Sequence, residues 1–483
     1  MKSDIRFYHP PDSLVGYIST ALSLSLSSIL FLLSLPPFHY SFTLFFFLIP
    51  AAWVWLVWPR SAARLSLIPG LIFFLYFRID QSSTSVILGW LICITALQLL
   101  LLILAEWSRD RFRYLPLWTL PALLVMADAI RFRFWGTLYS LASLLSDYPW
   151  LIRSSDTFGP LFPGLLLCFT QFWLVYRWLY PHRIKALSWS AMGILWLILI
   201  AYGLGANPFG ATSTRNLIVT FTVPDKPILD MPRFVQRLDQ VLQKIPGSPD
   251  QPRILLLPFL PYVLPSENEA GQLKPWESIA HRHQVDIIYG CRDTLLDYAV
   301  CPYINALGRV VEIGEQQTLF RFGPPRYRPG DYTLGIDGRL GRIGVLCNEE
   351  VFFDYPAKIL NRSGYGMIYN PMENTRRHSM EYIRKALVVS AVMNRQAILS
   401  NINNGGQIGI NPDGRSVHFM QLFKRILFYQ IELKSGKAFS RYQRWGDLVF
   451  YGVFLMFGMP LLIRALILMR SRLELQSRSS SRF

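Results

Sequence analysis

Hydrophobic positions run almost unbroken through the first 205 residues of this 483-residue chain, interrupted only by short basic clusters. A helix that spans a bilayer needs about 20 apolar residues, within a range of about 17–25. Seven blocks reach or approach that length: 14–34, 41–58, 66–80, 86–105, 114–127, 159–180 and 186–204, the third and fifth being short. An eighth block, 447–469, lies near the C-terminus. The pattern predicts a membrane bundle of about seven helices over 1–205, with an arm at 128–158 that leaves the bilayer, and a final membrane helix at 447–469. The first block has no small-residue cleavage site and reads as a retained helix.

The pattern changes over 206–446, where short apolar runs alternate with amphipathic stretches. Leu217–Thr222, Ile254–Leu257, Asp286–Gly290, Pro302–Leu307, Gly341–Cys347, Gly366–Asn370 and Gln396–Asn401 read as strands. Met231–Gln243 has helical spacing, with Phe234, Leu238, Val241 and Leu242 on one face, and His378–Asn394 is also helical. Strands apolar on both faces, separated by helices, predict a layered α/β domain.

Charge refines this picture. Lys plus Arg is 48 and Asp plus Glu 31, a net +17, yet charged residues are only 16 % of the chain and hydrophobic ones 52 %. A nucleic-acid binder sets its Lys and Arg on a polar background, so this balance excludes nucleic acid as a partner and fits basic residues at a membrane surface. Lys2 and Arg6 precede the first block. Arg60 and Arg64 follow the second, Arg109, Arg111 and Arg113 the fourth, and Arg177, Arg183 and Lys185 the sixth. Arg464, Arg470, Arg472, Arg478 and Arg482 accompany or follow the eighth. By the positive-inside rule both termini are cytoplasmic, and the basic tail 470–483 lies at anionic lipid. The arm and the α/β domain then lie on the opposite side. Arg131 and Arg133 in the arm read as interfacial anchors beside Phe132, Phe134 and Trp135.

Cys93 and Cys168 fall in membrane blocks and read as packing residues. Cys291 and Cys301 flank an expected hairpin and form a candidate disulfide in an extracytoplasmic domain. Cys347 is then the odd thiol and a candidate nucleophile. The sequence holds no phosphate-cradling glycine loop, zinc-ligand spacing or dinucleotide fingerprint, and the expected metal and cofactor complement is none.

Several stretches resemble the apolipoprotein N-acyltransferase family, a membrane-bound branch of the carbon–nitrogen hydrolase (nitrilase) superfamily. Phe134-Trp135-Gly136-Thr137-Leu138-Tyr139 resembles its Trp-Gly stretch in the arm between the fifth and sixth helices. Tyr303-Ile304-Asn305-Ala306 resembles its Tyr-Asn-Ser strand. Arg342-Ile343-Gly344-Val345-Leu346-Cys347-Asn348-Glu349 resembles its nucleophile motif. Tyr369-Asn370-Pro371-Met372-Glu373-Asn374 stands where the family has Asn-Asp-Ala-Trp, followed by Asn403-Asn404-Gly405, Asn411-Pro412-Asp413-Gly414-Arg415 and Tyr442-Gln443-Arg444-Trp445-Gly446-Asp447. The resemblance covers nearly the whole chain in order. It implies a polytopic α-helical membrane bundle plus an extracytoplasmic nitrilase-like α-β-β-α sandwich, in a multi-pass protein of the bacterial inner membrane.

The family's chemistry needs a Cys nucleophile, a Glu base and a Lys that stabilises the oxyanion, because a free thiol with pKa near about 8.5 is scarcely ionised at neutral pH. Aligned on these motifs, Cys347 is the nucleophile candidate and Glu349 a retained supporting carboxylate. The Glu position holds Phe259, the Lys position Gln316, and a further loop Glu is Pro324. A phenyl ring is no base, and losing one oxyanion donor typically costs about 10²–10³ in rate. Substitute bases are Glu267, Glu269, Glu349, Glu350, His281 or His283. Trp135, Arg376 and His378 are substrate-binding candidates, with Arg376 suited to lipid phosphate. Two functions follow. One is transfer of an acyl chain from phospholipid, through a Cys347 thioester, to the N-terminal amine of a lipoprotein. The other is a catalytically silent member that binds a lipidated or membrane partner, as in conjugal-transfer accessory proteins of similar build.

Overall fold

The computed structural model describes residues 13–75, 121–205, 212–221, 231–244, 253–264, 274–293, 298–317, 328–373, 380–421, 428–435 and 440–446, several of these with short gaps, and residue 452. The expected helix 86–105, nearly all of 447–469, most of 114–127 and the tail 470–483 lie outside the described residues.

Among the described residues, four longer helices build the N-terminal part: α1 (Leu14–Leu32), α2 (Leu48–Val57), α3 (Leu161–Leu179) and α4 (Leu187–Leu204). The face of α1 turned inward consists of Gly16, Thr20, Leu24, Ser27, Ser28 and Phe31, while Leu14, Val15, Ile18, Leu22, Leu26 and Ile29 point outward. Small and hydroxyl side chains inside with aliphatic ones outside is the reverse of a water-soluble amphipathic helix. The inward hydroxyls are satisfied locally, Thr20 Oγ1 donating to Gly16 O at 2.7 Å and Ser28 Oγ to Leu24 O at 2.8 Å.

The block expected as one helix over 41–58 is broken. A 3-10 turn at Ser41–Phe45 precedes α2, which has only 10 residues. Gln171, buried in α3, occupies the break: its Nε2 donates to Leu44 O and its Oε1 accepts Leu48 N–H, both at 2.8 Å. Among the described residues, α1 is long and apolar enough to cross a membrane. The pair Pro149–Phe158 and Leu161–Leu179, bent by 117°, raises this to as many as two. The bend falls at Gly159 (φ +90°) and Pro160, and so the block 159–180 starts as a helix only at Leu161.

The α/β part follows as β1 (Thr212–Ser213), β2 (Ile218–Phe221), α5 (Met231–Lys244), β3 (Arg253–Leu264), α6 (Lys274–His283), β4 (Val285–Asp293), β5 (Tyr298–Ile304) and β6 (Val310–Glu315). It continues as β7 (Gly335–Gly338), β8 (Gly341–Val345), α7 (Asp354–Arg362), β9 (Met367–Met372), α8 (Met380–Asn394) and β10 (Ala397–Ile402). It ends with β11 (Gly406–Ile410), β12 (Ser416–Gln421), β13 (Phe428–Ile431) and β14 (Lys434–Ser435). Two six-stranded sheets result, ordered β13-β2-β3-β4-β5-β6 and β12-β11-β10-β9-β8-β7. Each has a parallel centre, β2-β3-β4 in one and β8-β9-β10 in the other, flanked by antiparallel strands.

The sheets face each other through Ile254, Leu256, Ile288, Cys301 and Tyr303 on one side and Ile343, Val345, Cys347, Met367, Tyr369 and Leu399 on the other. Helices α5 and α6 cover the outside of the first sheet through Phe234, Leu238, Leu242, Trp276 and Ile279. The arrangement is an α-β-β-α sandwich. The expected strand Pro302–Leu307 sits several residues earlier, at Tyr298–Ile304, because Asn305 makes the turn: its Oδ1 accepts the N–H groups of Leu307 and Arg309.

Helix α8 shows how the two parts join. Thirteen of its 15 residues are buried, including Lys385, Ser390 and Asn394. A helix apolar around its whole circumference must be covered on both sides. One side lies on the second sheet, and the other packs against the short helices Leu141–Leu144 and Ser155–Phe158 of the arm. The arm's Arg131 is not an interfacial anchor: it is buried and paired with Asp128, while Arg133 is exposed.

Candidate active-site region

The nucleophile motif folds as expected up to its sulfur. Strand β8 ends at Val345, and Cys347 leads into the 3-10 turn Asn348–Phe352. Asn348 adopts φ +50°, a left-handed conformation that Asn tolerates better than most residues. This sharp turn aims the Cys347 side chain into the layer between the sheets, where it is 2 % exposed.

Its sulfur is bonded to Cys301, with the two Cα atoms 6.7 Å apart. Cys301 lies in β5 of the opposite sheet, so the disulfide spans the interior of the sandwich. The expected Cys291–Cys301 pair is overturned by strand alternation. Cys291 stands opposite Val300 in the β4–β5 ladder, and both face α5 and α6. Cys301, the next residue, points to the other face. Cys291 is instead a free buried thiol whose pKa is pushed up by burial. Period-two counting from Val300 contains this signal in the sequence.

Around the disulfide, polar side chains are knit together by hydrogen bonds. Asn348 Nδ2 donates to Gln316 Oε1 at 3.1 Å, and Asn348 Oδ1 accepts Glu373 N–H at 2.9 Å. Asn370 Nδ2 donates to Leu346 O and Asn348 O at 2.7 and 2.8 Å, and its Oδ1 accepts Ser400 Oγ at 2.8 Å. Gln316, which the resemblance sets at the family's Lys position, is fully buried and bonded to the turn through Asn348. Phe259, at the position of the Glu, is also buried. A Cβ on Gly290 would meet Phe259 Cδ2 at 2.6 Å and Pro371 Cβ at 3.0 Å, which puts Phe259 against the residue that follows Asn370.

The carboxylate turned toward Cys347 belongs to Glu350, whereas Glu349 is half-buried. Glu350 Oε2 accepts Cys347 N–H at 3.3 Å and Oε1 accepts Gln317 N–H at 2.9 Å. It thus braces the turn through the backbone. The other substitute bases do not converge here. His283 binds Asp239 at 2.7 Å, Arg282 binds the same carboxylate at 2.9 Å, and with His281 they ride on α6, outside the first sheet. That face is opposite to the one carrying Cys301. Trp135 is buried against the helices that cover the second sheet. Glu267, Glu269, Pro324, Arg376 and His378 lie outside the described residues.

Chemically, thioester formation requires a thiol to deprotonate. Cys347 in this state has none, and the groups meeting at it are a disulfide, amides, a hydroxyl and one carboxylate engaged with the backbone.

No family model matches the chain, and no curated protein matches it. Among solved structures it is similar to Nit3 of Saccharomyces cerevisiae, a member of branch 10 of the nitrilase superfamily. Identity is 17 %, covering 46 % of this chain and 93 % of that one, with a TM-score of 0.36. It is also similar to an amidase from Nesterenkonia sp. AN1 in which the acetamide moiety of fluoroacetamide is covalently added at the active-site cysteine. There identity is 14 %, covering 50 % of this chain and 98 % of that one, with a TM-score of 0.41. The structures that resemble about half of this chain are thus nitrilase-superfamily members at low identity.

Proposed function

We propose that this chain is a catalytically silent, membrane-anchored protein of the apolipoprotein N-acyltransferase build, which uses its sandwich to bind a lipidated or membrane partner. The observation that carries this reading is the Cys301–Cys347 disulfide, which engages the nucleophile candidate while Phe259 and Gln316 occupy the positions of its base and its oxyanion donor. A transferase needs all three groups in working form. Here the Glu350 carboxylate accepts two backbone N–H groups, those of Cys347 and Gln317.

Membrane anchoring is supported by the inverted polarity of α1 and by Trp178, exposed at the end of α3 beside Arg177 as an interfacial anchor. The proposed topology keeps both termini cytoplasmic and the sandwich extracytoplasmic, in the bacterial inner membrane. The disulfide supports that side, since disulfides persist in oxidising compartments.

The test is incubation of purified protein with phospholipid vesicles, with and without prior reduction, followed by mass spectrometry of the Cys347 peptide. The expected result is a Cys301–Cys347 linked peptide without reduction, two free-thiol peptides after it, and no acyl mass under either condition. The double variant Cys301→Ala, Cys347→Ala is expected to retain its biological role. A hydroxylamine-sensitive acyl adduct at Cys347 would overturn the silent reading in favour of acyl transfer.

A further inference from the structure

The junction between the N-terminal helices and the sandwich is organised around one carboxylate. Asp147 of the arm accepts Ser41 Oγ at 2.5 Å, Lys385 Nζ at 2.8 Å and Arg384 Nη2 at 2.9 Å. Lys385 Nζ also donates to Ser41 Oγ at 2.8 Å, and Arg384 pairs with Glu381 one turn earlier in α8. Lys385 is 1 % exposed. A buried ammonium persists only where partners replace its water, so the docking of three segments depends on this cluster. The segments are the hinge 39–41 after α1, the arm, and α8.

His39 stands at the same point. Its backbone is left-handed at φ +56°, and its buried Nδ1 has no hydrogen-bond partner among the described residues. Charged groups facing it are Lys385, Arg384 and Glu381 from α8 and Asp147 from the arm. Two cations already meet two anions there. A protonated imidazole adds a third positive charge with no matching acceptor at Nδ1.

We propose that this cluster is an acid-sensitive latch, in which protonation of His39 releases the hinge 39–41 and the arm from α8. The inference stands apart from the silence of Cys347. Burial first, and then Lys385, lower the His39 pKa from its ordinary value. The docked form therefore binds a proton less readily than an open form in which His39 is hydrated. By linkage, docking weakens once the pH falls below about 6.5, the ordinary histidine value. Asp147 does not share this range. Burial alone would raise its pKa, but hydrogen bonds from Lys385 and Ser41 outweigh that and hold it below the usual value. Asp147 stays ionised while His39 titrates.

The test is hydrogen–deuterium exchange on the full chain in detergent at pH 7.5 and 5.5, corrected for the intrinsic rate. Peptides spanning 38–48, 141–152 and 380–388 are followed. The expected result is a joint loss of protection in all three at pH 5.5, reaching at most about tenfold, because an open form that titrates near about 6.5 is then one unit below its pKa. His39→Asn, which keeps a residue tolerant of positive φ, should hold the pH 7.5 protection and abolish its pH dependence. Equal protection at both pH values would overturn the latch, as would a pH dependence that survives in His39→Asn.

Discussion

Cys347, at the end of β8, is bonded through its sulfur to Cys301 in β5, so the two sheets of the sandwich are covalently joined at the turn that resembles a nucleophile motif. The bond closes a loop with a sequence separation of 46 residues. The chain-entropy model gives such a loop about 4 kcal/mol of stabilisation through the unfolded state. Cys301→Ser is expected to lose stability of that order, read as a lower midpoint of denaturant unfolding, and reduction of the wild type should reproduce the loss.

Thiol labelling tests the same arrangement from the other side. Among the described residues the free cysteines are Cys168 and Cys291, both buried. Burial raises the Cys291 pKa, so raising the pH to about 8.5, where an ordinary thiol is half ionised, should not expose a thiolate there. Native, unreduced protein is expected to leave Cys291, Cys301 and Cys347 unmodified by a maleimide at pH 7.0 and at pH 8.5. Denaturation should release Cys291, and added reductant should release Cys301 and Cys347.

Glu350 is expected to act as a brace. Glu350→Ala leaves the N–H groups of Cys347 and Gln317 without their acceptor, and each buried orphan costs about 1–3 kcal/mol. Glu350→Gln retains one acceptor oxygen and should lose less. Unfolding midpoints of the two variants check the order.

Gly136 allows the arm to touch the turn after Cys347. Its φ is +61°, Thr137 N–H donates to Phe352 O at 2.8 Å, and a Cβ on Gly136 would lie 2.1 Å from that oxygen. Gly136→Ala therefore combines a left-handed alanine, costing about 1–2 kcal/mol, with a backbone clash. The expected outcome is faster proteolysis within 128–158 and a lower unfolding temperature.

A second arm contact carries a buried charge. Asp156 is fully buried and pairs with Arg395 Nη2 at 2.5 Å, while Tyr202 donates to its other oxygen at 2.7 Å. Removing one member of a buried pair costs about 3–5 kcal/mol. Arg395→Ala is expected to fall in that range, and Asp156→Asn in the Arg395→Ala background should recover part of it. A double-mutant cycle on unfolding free energy reads the coupling.

The sequence by itself determined the layers. Repeated apolar runs marked β2, β3, β4, β8, β9 and β10, the central parallel strands, and helical spacing marked α5 and α8. The flanking strands β6 and β12 were not read, because exposed apolar positions such as Val311, Ile313, Val417 and Phe419 weaken the period-two signal. The order of motifs also placed Gln316 beside the Cys347 turn. The choice of partner for each group came only with the tertiary structure. Cys301 meets Cys347 because two sheets face each other, and Cys291 is turned away by strand alternation. Glu350 rather than Glu349 faces Cys347 because a 3-10 turn, not a strand, follows it. Lys385 is buried in α8 because Asp147, 238 positions earlier, is folded against it. Local periodicity fixes which face a residue occupies, but a disulfide or a buried ion pair depends on which distant face is packed opposite.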